Sequence, residues 1–347
     1  MGEEERTSAA GIVLKDVLLQ SLICSDVLKL SNGIMRQFFI LCVICSPLFF
    51  SCKKNNAGSS NNPVDTLATG WKKIFFVDPA NLIDIFFVGD TGFTISSTAI
   101  YRSFDGGNNW SRLNETAPNF QNMGMGSTVN AAFVVAPNVI LSTHSAGASF
   151  DTTTLTDNFL TDVFFVSPAI AYAAGKNIWK TTNGGVNWTK LYTFTTDSSG
   201  YKSLYFISEQ TGWVVRRDGL YATFNGGIAW NKVPTSGFDF SITGDVFFRN
   251  STTGFISDEI SFGKTNSGGA SWTKTFTGTS TYHDIHFVTD NIGYLSDGGR
   301  IYKTTDGGST WKTDVFLQAN FFSEIHFTDA NHGWACGNDG TIVKFGP

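Results

Sequence analysis

The chain has 347 residues, of which 41% are hydrophobic and 15% charged, with 36 glycines. That balance supplies a large core and many turns, as an all-β protein needs, and it excludes a disordered, charge-rich chain. The net charge of −5 gives no electrostatic support to a nucleic-acid partner.

Residues 1–51 read as an extension outside the fold. An apolar run of 13 residues, Phe38 to Phe50, is too short to cross a bilayer comfortably. Met35-Arg36 precedes it, and Leu48-Phe49-Phe50-Ser51-Cys52 follows. This segment resembles a bacterial lipoprotein signal with its lipobox, although Phe49 and Phe50 stand where Leu and a small residue are usual. The resemblance implies cleavage before Cys52, a lipid on Cys52, and a place in the cell envelope, on the outer membrane facing the periplasm. Residues 1–34 carry five acids, an odd prefix for a signal, so translation is expected to start at Met35. Residues 52–69 read as a polar, flexible tether. Cys24, Cys42 and Cys45 precede the cut and Cys52 takes the lipid, which leaves Cys336 alone, a buried thiol with no disulfide partner in a monomer.

From residue 70 to 347 one pattern repeats. A bulky aromatic stands at Trp71, Trp110, Phe150, Trp188, Trp230, Trp272 and Trp311, with gaps of 39, 40, 38, 42, 42 and 39 residues. A period near 40 means stacked copies of one supersecondary unit. Each unit opens on an apolar, β-branched and aromatic run that reads as a buried strand. The seven runs begin at Asp84, Asn130, Asp162, Ser203, Asp245, Asp284 and Glu324. A Gly-aromatic pair often follows, as in Gly92-Phe93 and Gly333-Trp334, then a third strand such as Ile178-Trp179-Lys180. The anchor aromatic opens the fourth. Seven units of four strands describe a seven-bladed β-propeller with four-stranded antiparallel blades. The eighth anchor would fall past Pro347, so the last blade keeps three strands and takes its fourth from about residues 70–77.

Before each anchor lies a Gly-rich turn, as in Ser103-Phe104-Asp105-Gly106-Gly107-Asn108-Asn109-Trp110 and Thr304-Thr305-Asp306-Gly307-Gly308-Ser309-Thr310-Trp311. Side chains that accept bonds from the turn's own amides, followed by glycines that reach positive φ, make a tight hairpin. Asp105 and Asp306 hold the first role, with Asn183, Asn225 and Ser267 in other copies; Trp110, Trp188, Trp230, Trp272 and Trp311 are the anchors. A worn copy runs from Thr143 to Phe150. The turns resemble the Asp-boxes, or BNR repeats, of sialidases, sortilin-type receptors and the photosystem II stability/assembly factor-like family. The last of these is the nearest in character, and it implies a non-catalytic scaffold that binds a protein or, failing that, a glycan. The basic patch expected of its photosynthetic members is not evident here.

Chain direction places the Asp-box turns on one face and the outer-to-inner links on the other, where propeller ligands commonly bind. Asp84, Asp162, Asp245, Asp284 and Glu324 start the inner strands near the central opening on that second face. They are a candidate binding ring for a cation or a basic segment, or caps on neighbouring backbone that the repeat requires. Tyr192, Tyr201, Phe238 and Tyr282 lie in candidate face loops. The rival reading is an Asp-box glycoside hydrolase, sialidase- or xyloglucanase-like. Against it, the arginines form no sialidase-type cluster and a single propeller lacks the xyloglucanase cleft. His286 and His326 stand where Phe86, Phe164, Tyr205 and Phe247 stand in other blades, which favours packing over metal binding. No phosphate loop, dinucleotide fingerprint or nucleophile elbow is present, so no cofactor, metal or catalytic residue is expected. A monomer is expected, with membrane contact through the N-terminal lipid alone.

Overall fold

The computed structural model describes residues 65–347 apart from 77, 116, 157–158, 196–200, 241–243, 259–260, 278–281 and 319. The signal segment, Cys52 and the tether up to residue 64 lie outside the described residues. Strands and turns make up the fold, and among the described residues there is no helix.

Seven antiparallel sheets form the blades of a propeller. Blade 1 spans residues 82–112, blade 2 120–154, blade 3 162–193, blade 4 201–233, blade 5 245–277 and blade 6 282–316. Blade 7 holds Phe322–Asp329, His332–Gly337 and Ile342–Phe345, and Trp71–Ile74 is its outer strand. The pairing runs Trp71 to Phe345 through Ile74 to Ile342, so the two ends of the chain close the ring as the anchor spacing requires. Each inner strand packs on the next, and Phe322–Asp329 packs on Leu82–Val88. Trp71 seals the joint. Its Nε1 donates to Asp314 Oδ2 at 2.7 Å, and its rings sit edge-on to Tyr294 and Phe327.

Residues 65–69, placed in the tether by sequence, are held on the propeller. Thr66–Leu67 pairs with Val315 and Phe316 as a fifth strand on blade 6, and Asp65 Oδ1 accepts the Gln318 amide at 2.7 Å.

Seven apolar clusters hold the ring, each drawn from two adjacent blades. The Gly-aromatic pair explains most of them. In blade 5 Gly254 lies opposite Phe248, and a Cβ there would meet the Phe248 ring at 2.4 Å. The bare glycine lets the ring lie flat on its own sheet, where Trp213 of blade 4 stacks on it at 3.5 Å. The same sandwich recurs with Phe87 and Trp334, Phe287 and Phe255, and Phe327 and Tyr294. Such a pair is worth about 0.5–1.5 kcal/mol beyond its buried area.

The Asp-box turns have the expected geometry. Ser103 Oγ accepts the Gly107 amide at 2.9 Å, Asp105 Oδ1 accepts the Asn109 amide at 2.9 Å, and Trp110 Nε1 donates to Gly107 O at 3.0 Å. Asn183 Oδ1 and Ser267 Oγ accept the Asn187 and Ser271 amides in the same way. The role needs an acceptor atom and not a charge, which is why Asp, Asn and Ser interchange. Trp71 and Trp230 are buried, while Trp110, Trp188, Trp272 and Trp311 are half-buried.

Blade 2 departs from its sequence reading. Its inner strand is Phe120–Met125, and the apolar run after Asn130 is the second strand, Ala131–Val135. The inner strand carries neither β-branched residues nor a continuous apolar run, so the better-looking neighbour took its place. Asn130 therefore lies away from the ring of inner-strand starts, and Asn122 holds that position.

Candidate functional site

Alternate residues of an inner strand face the channel. Two layers of side chains result. The first is Asp84, Asn122, Asp162, Ser203, Asp245, Asp284 and Glu324; the second, two residues on, is Phe86, Gly124, Phe164, Tyr205, Phe247, His286 and His326. All line one central cavity of about 260 Å³. The five acids named from sequence are thus brought together.

In the first layer five side chains reach to the backbone of the next blade. Asp84 Oδ2 accepts the Met123 amide at 2.8 Å, Asn122 Oδ1 the Val163 amide at 3.0 Å, and Asp162 Oδ2 the Leu204 amide at 2.6 Å. Asp245 Oδ2 accepts Ile285 N–H at 2.9 Å, and Asp284 Oδ2 accepts Ile325 N–H at 2.8 Å. The acids therefore cap backbone across the blade seams. Ser203 donates to Asp245, which also accepts from Asp284, and Glu324 donates to Asp284.

Burial raises every carboxyl pKa in the ring. Asp84 and Asp162 are pushed up to about 7. Asp245 is raised, and Asp284 and Glu324 stand well above the usual carboxylate range, first from burial and then from the neighbouring charges. Backbone N–H bonds oppose the shift without cancelling it. The shift favours the protonated form of Asp284 and Glu324, which form a donor chain to Asp245.

The second layer is a broken circle of rings. Phe86 packs on His326 at 4.0 Å, His326 on His286 at 5.5 Å, His286 on Phe247 at 5.6 Å, Phe247 on Tyr205 at 4.9 Å, and Tyr205 on Phe164 at 5.0 Å. Gly124 interrupts the circle; a Cβ there would meet Val163 O at 2.8 Å. Burial lowers His286 to about 3 and His326 to about 4, so both are neutral. His326 Nε2 donates to Phe87 O at 3.0 Å and His286 to the Phe327 backbone. Among the described residues no group of three or more His, Cys, Asp or Glu is arranged to hold a metal. Cys336 is buried opposite Glu324, and burial pushes its thiol well up.

Of the loop aromatics, Tyr192 and Phe238 fold onto their blades and are half-buried. The side chains of Tyr201 and Tyr282 lie outside the described residues. The exposed aromatics on this face are others: Phe75 at 86%, Phe159 at 57% and Phe321 at 61%. All three stand in outer-to-inner links, and Phe159 and Phe321 directly precede the buried Leu160 and Phe322. The one sequence signal for them is a pair of adjacent apolar residues where the link has room for only one.

Residues 257–346, from the second strand of blade 5 to the chain end, match the family described as photosynthesis system II assembly factor YCF48. The Asp-box resemblance pointed to the same family. No curated protein matches the chain. Among solved structures, YCF48 from Cyanidioschyzon merolae superposes with a TM-score of 0.68 at 21% identity, covering 80% of this chain and 99% of that one. A structure of YCF48 bound to D1 peptide gives 0.67 at 17% identity, covering 80% and 97%. An ancestral GH74 enzyme gives 0.62 at 12% identity, covering 80% of this chain and 46% of its own. At these identities the likeness establishes the fold.

Proposed function

We propose that this propeller is a non-catalytic scaffold that binds a protein partner on the face opposite its Asp-box turns, anchored to the bacterial envelope by a lipid on Cys52. One observation carries the reading: the channel acids are bound to the backbone and to one another. A glycosidase needs two carboxyls set about 5 Å or more apart to flank the scissile bond. Here Asp245, Asp284 and Glu324 bond directly to each other, and Asp84 and Asp162 hold neighbouring strands. Around that closed centre, Phe75, Phe159 and Phe321 offer exposed aromatic anchors of the type that dominate protein interfaces. The structure of YCF48 bound to D1 peptide supplies a propeller of similar fold with a peptide partner.

The test is capture from envelope extracts by the protein starting at Cys52. A partner retained by a Phe104→Ser/Phe224→Ser control, whose changes lie in the Asp-box turns, and lost by Phe75→Ser/Phe159→Ser/Phe321→Ser is the expected result. Hydrolysis of sialosides or β-glucans that disappears in Asp162→Ala or Asp284→Ala would overturn the proposal in favour of a hydrolase. A chain that carries no lipid when expressed from Met35 would remove the anchor.

A further inference from the structure

The repeat places lysine at two outer positions of its blades. One is the third-strand residue before the Asp-box, as in Lys180, Lys264, Lys303 and Lys344; the other follows the anchor by two, as in Lys73, Lys190, Lys232 and Lys274. Blade 1 alone has arginine at these positions, and it has arginine at both, Arg102 and Arg112. The Asp-box it faces, in blade 2, is the worn copy. Ala146 replaces the first glycine at φ 52°, and Phe150 replaces the tryptophan. Phe150 thus has no indole N–H to close the turn, the bond that Trp110, Trp188 and Trp230 make onto the Gly107, Gly185 and Gly227 carbonyls and that Trp272 and Trp311 do not make.

A cavity of about 400 Å³ lies where these two departures meet, lined by Arg102, Arg112, Glu115, Ser149 and Phe150 among others. Arg102 is fixed: its Nη1 donates to Ala146 O at 2.6 Å, and its guanidinium lies 4.3 Å over the Phe104 ring. Arg112 is half exposed, and its pair with Asp78 is loose at 3.6 Å. Among the residues lining this cavity two guanidiniums stand against the single carboxylate of Glu115, and Asp78 reaches Arg112 from outside it. A planar fork in place of an ammonium suits a carboxylate, which it grips with two parallel bonds. Arg112 also lines a second cavity of about 260 Å³ with Phe76, Asp78, Pro79, Tyr101 and Trp110, where the Asp78 carboxylate accepts the Tyr101 hydroxyl. Between the two runs Ser111–Arg112, the outer strand of blade 1, which is an open sheet edge.

We infer that this rim of blades 1 and 2 binds an acidic segment of a partner protein, with a carboxylate in the arginine cavity and a neighbouring apolar side chain in the aromatic one. The open edge favours a peptide over a sugar chain, because only a peptide adds backbone bonds to a strand. Neither cavity shares a residue with the channel, although Phe76 and Pro79 follow Phe75 in one link, and the peptide titration below reads this site separately from the capture above.

Fluorescence polarisation of a labelled decapeptide of alternating glutamate and leucine, titrated with the protein starting at Cys52 at low salt, tests this. Binding is expected, with at least about a tenfold loss in Arg112→Gln and in Phe150→Trp, which restores the anchor indole and fills the cavity. Both variants should melt near the parent, and the glutamine–leucine peptide should not bind. Equal affinity for the variants, no binding of the acidic peptide, or binding of sialyllactose in its place would overturn the inference.

Discussion

Asp162 is the ring acid whose neighbours in the circle are both uncharged, Asn122 and Ser203, so it gives the cleanest measure of what the buried carboxyls cost. Its pKa rises from 3.8 to about 7, mainly through burial. The sign follows from linkage. The unfolded chain releases this proton near 3.8 and the folded one keeps it until about 7, so stability is full below the first value and falls as pH climbs to the second. About three units at 1.36 kcal/mol each set an upper bound of ~4 kcal/mol lost by about pH 8. Asp162→Asn keeps a carbonyl oxygen for the Leu204 amide and removes the titration, and Asn122 already does this job for Val163. The variant is expected to match the parent near pH 4 and to exceed it by ~2–4 kcal/mol near pH 8. Urea unfolding followed by tryptophan fluorescence at the two pH values measures the difference. An Asn protein less stable than its parent near pH 8 would mean that the charged form is favoured, and the burial argument would fail.

Two further outcomes are expected. Trp230→Ala should lose ~3–5 kcal/mol, as a buried aromatic does, and Trp188→Ala about half as much because its ring is half-buried; equal losses in denaturant would break the link between anchor burial and stability. A chain cut before Ile83 removes the outer strand of blade 7 and should fail to give a cooperative melt, whereas a transition like that of the longer chain would refute ring closure.

The blade count and ring closure were legible because a repeat multiplies its own signal. Six anchor intervals and five clear turns agree, so a worn copy such as Thr143–Phe150 could be placed by arithmetic alone. Blade 2 shows where this ends. Phe120–Met125 is a strand because blades 1 and 3 demand one between them, and nothing in its own composition says so. The cross-blade bonds were equally hidden, since Asp84 meets the Met123 amide 39 residues away. That the ring acids cap backbone was an option the sequence offered; their mutual bonding was not. The exposure of Phe75, Phe159 and Phe321 depends on link geometry that one sequence does not carry.

The order of residues around the circle also explains why the ring tolerates five acids. In sequence round the channel they run Asp84, Asn122, Asp162, Ser203, Asp245, Asp284 and Glu324, and then Asp84 again. Asn122 and Ser203 isolate Asp162, while the other four acids are contiguous. Four adjacent charges in one buried layer repel strongly, and the contiguous run meets this by holding protons: Glu324 donates to Asp284 and Asp284 to Asp245. A neutral carboxyl both donates to its neighbour and accepts a backbone N–H, so a protonated run satisfies the seams that a charged run would push apart. The layer is therefore an acid-dependent fastening that a rise in pH loosens, reaching Asp84 and Asp162, raised to about 7, before Asp284 and Glu324, which stand higher.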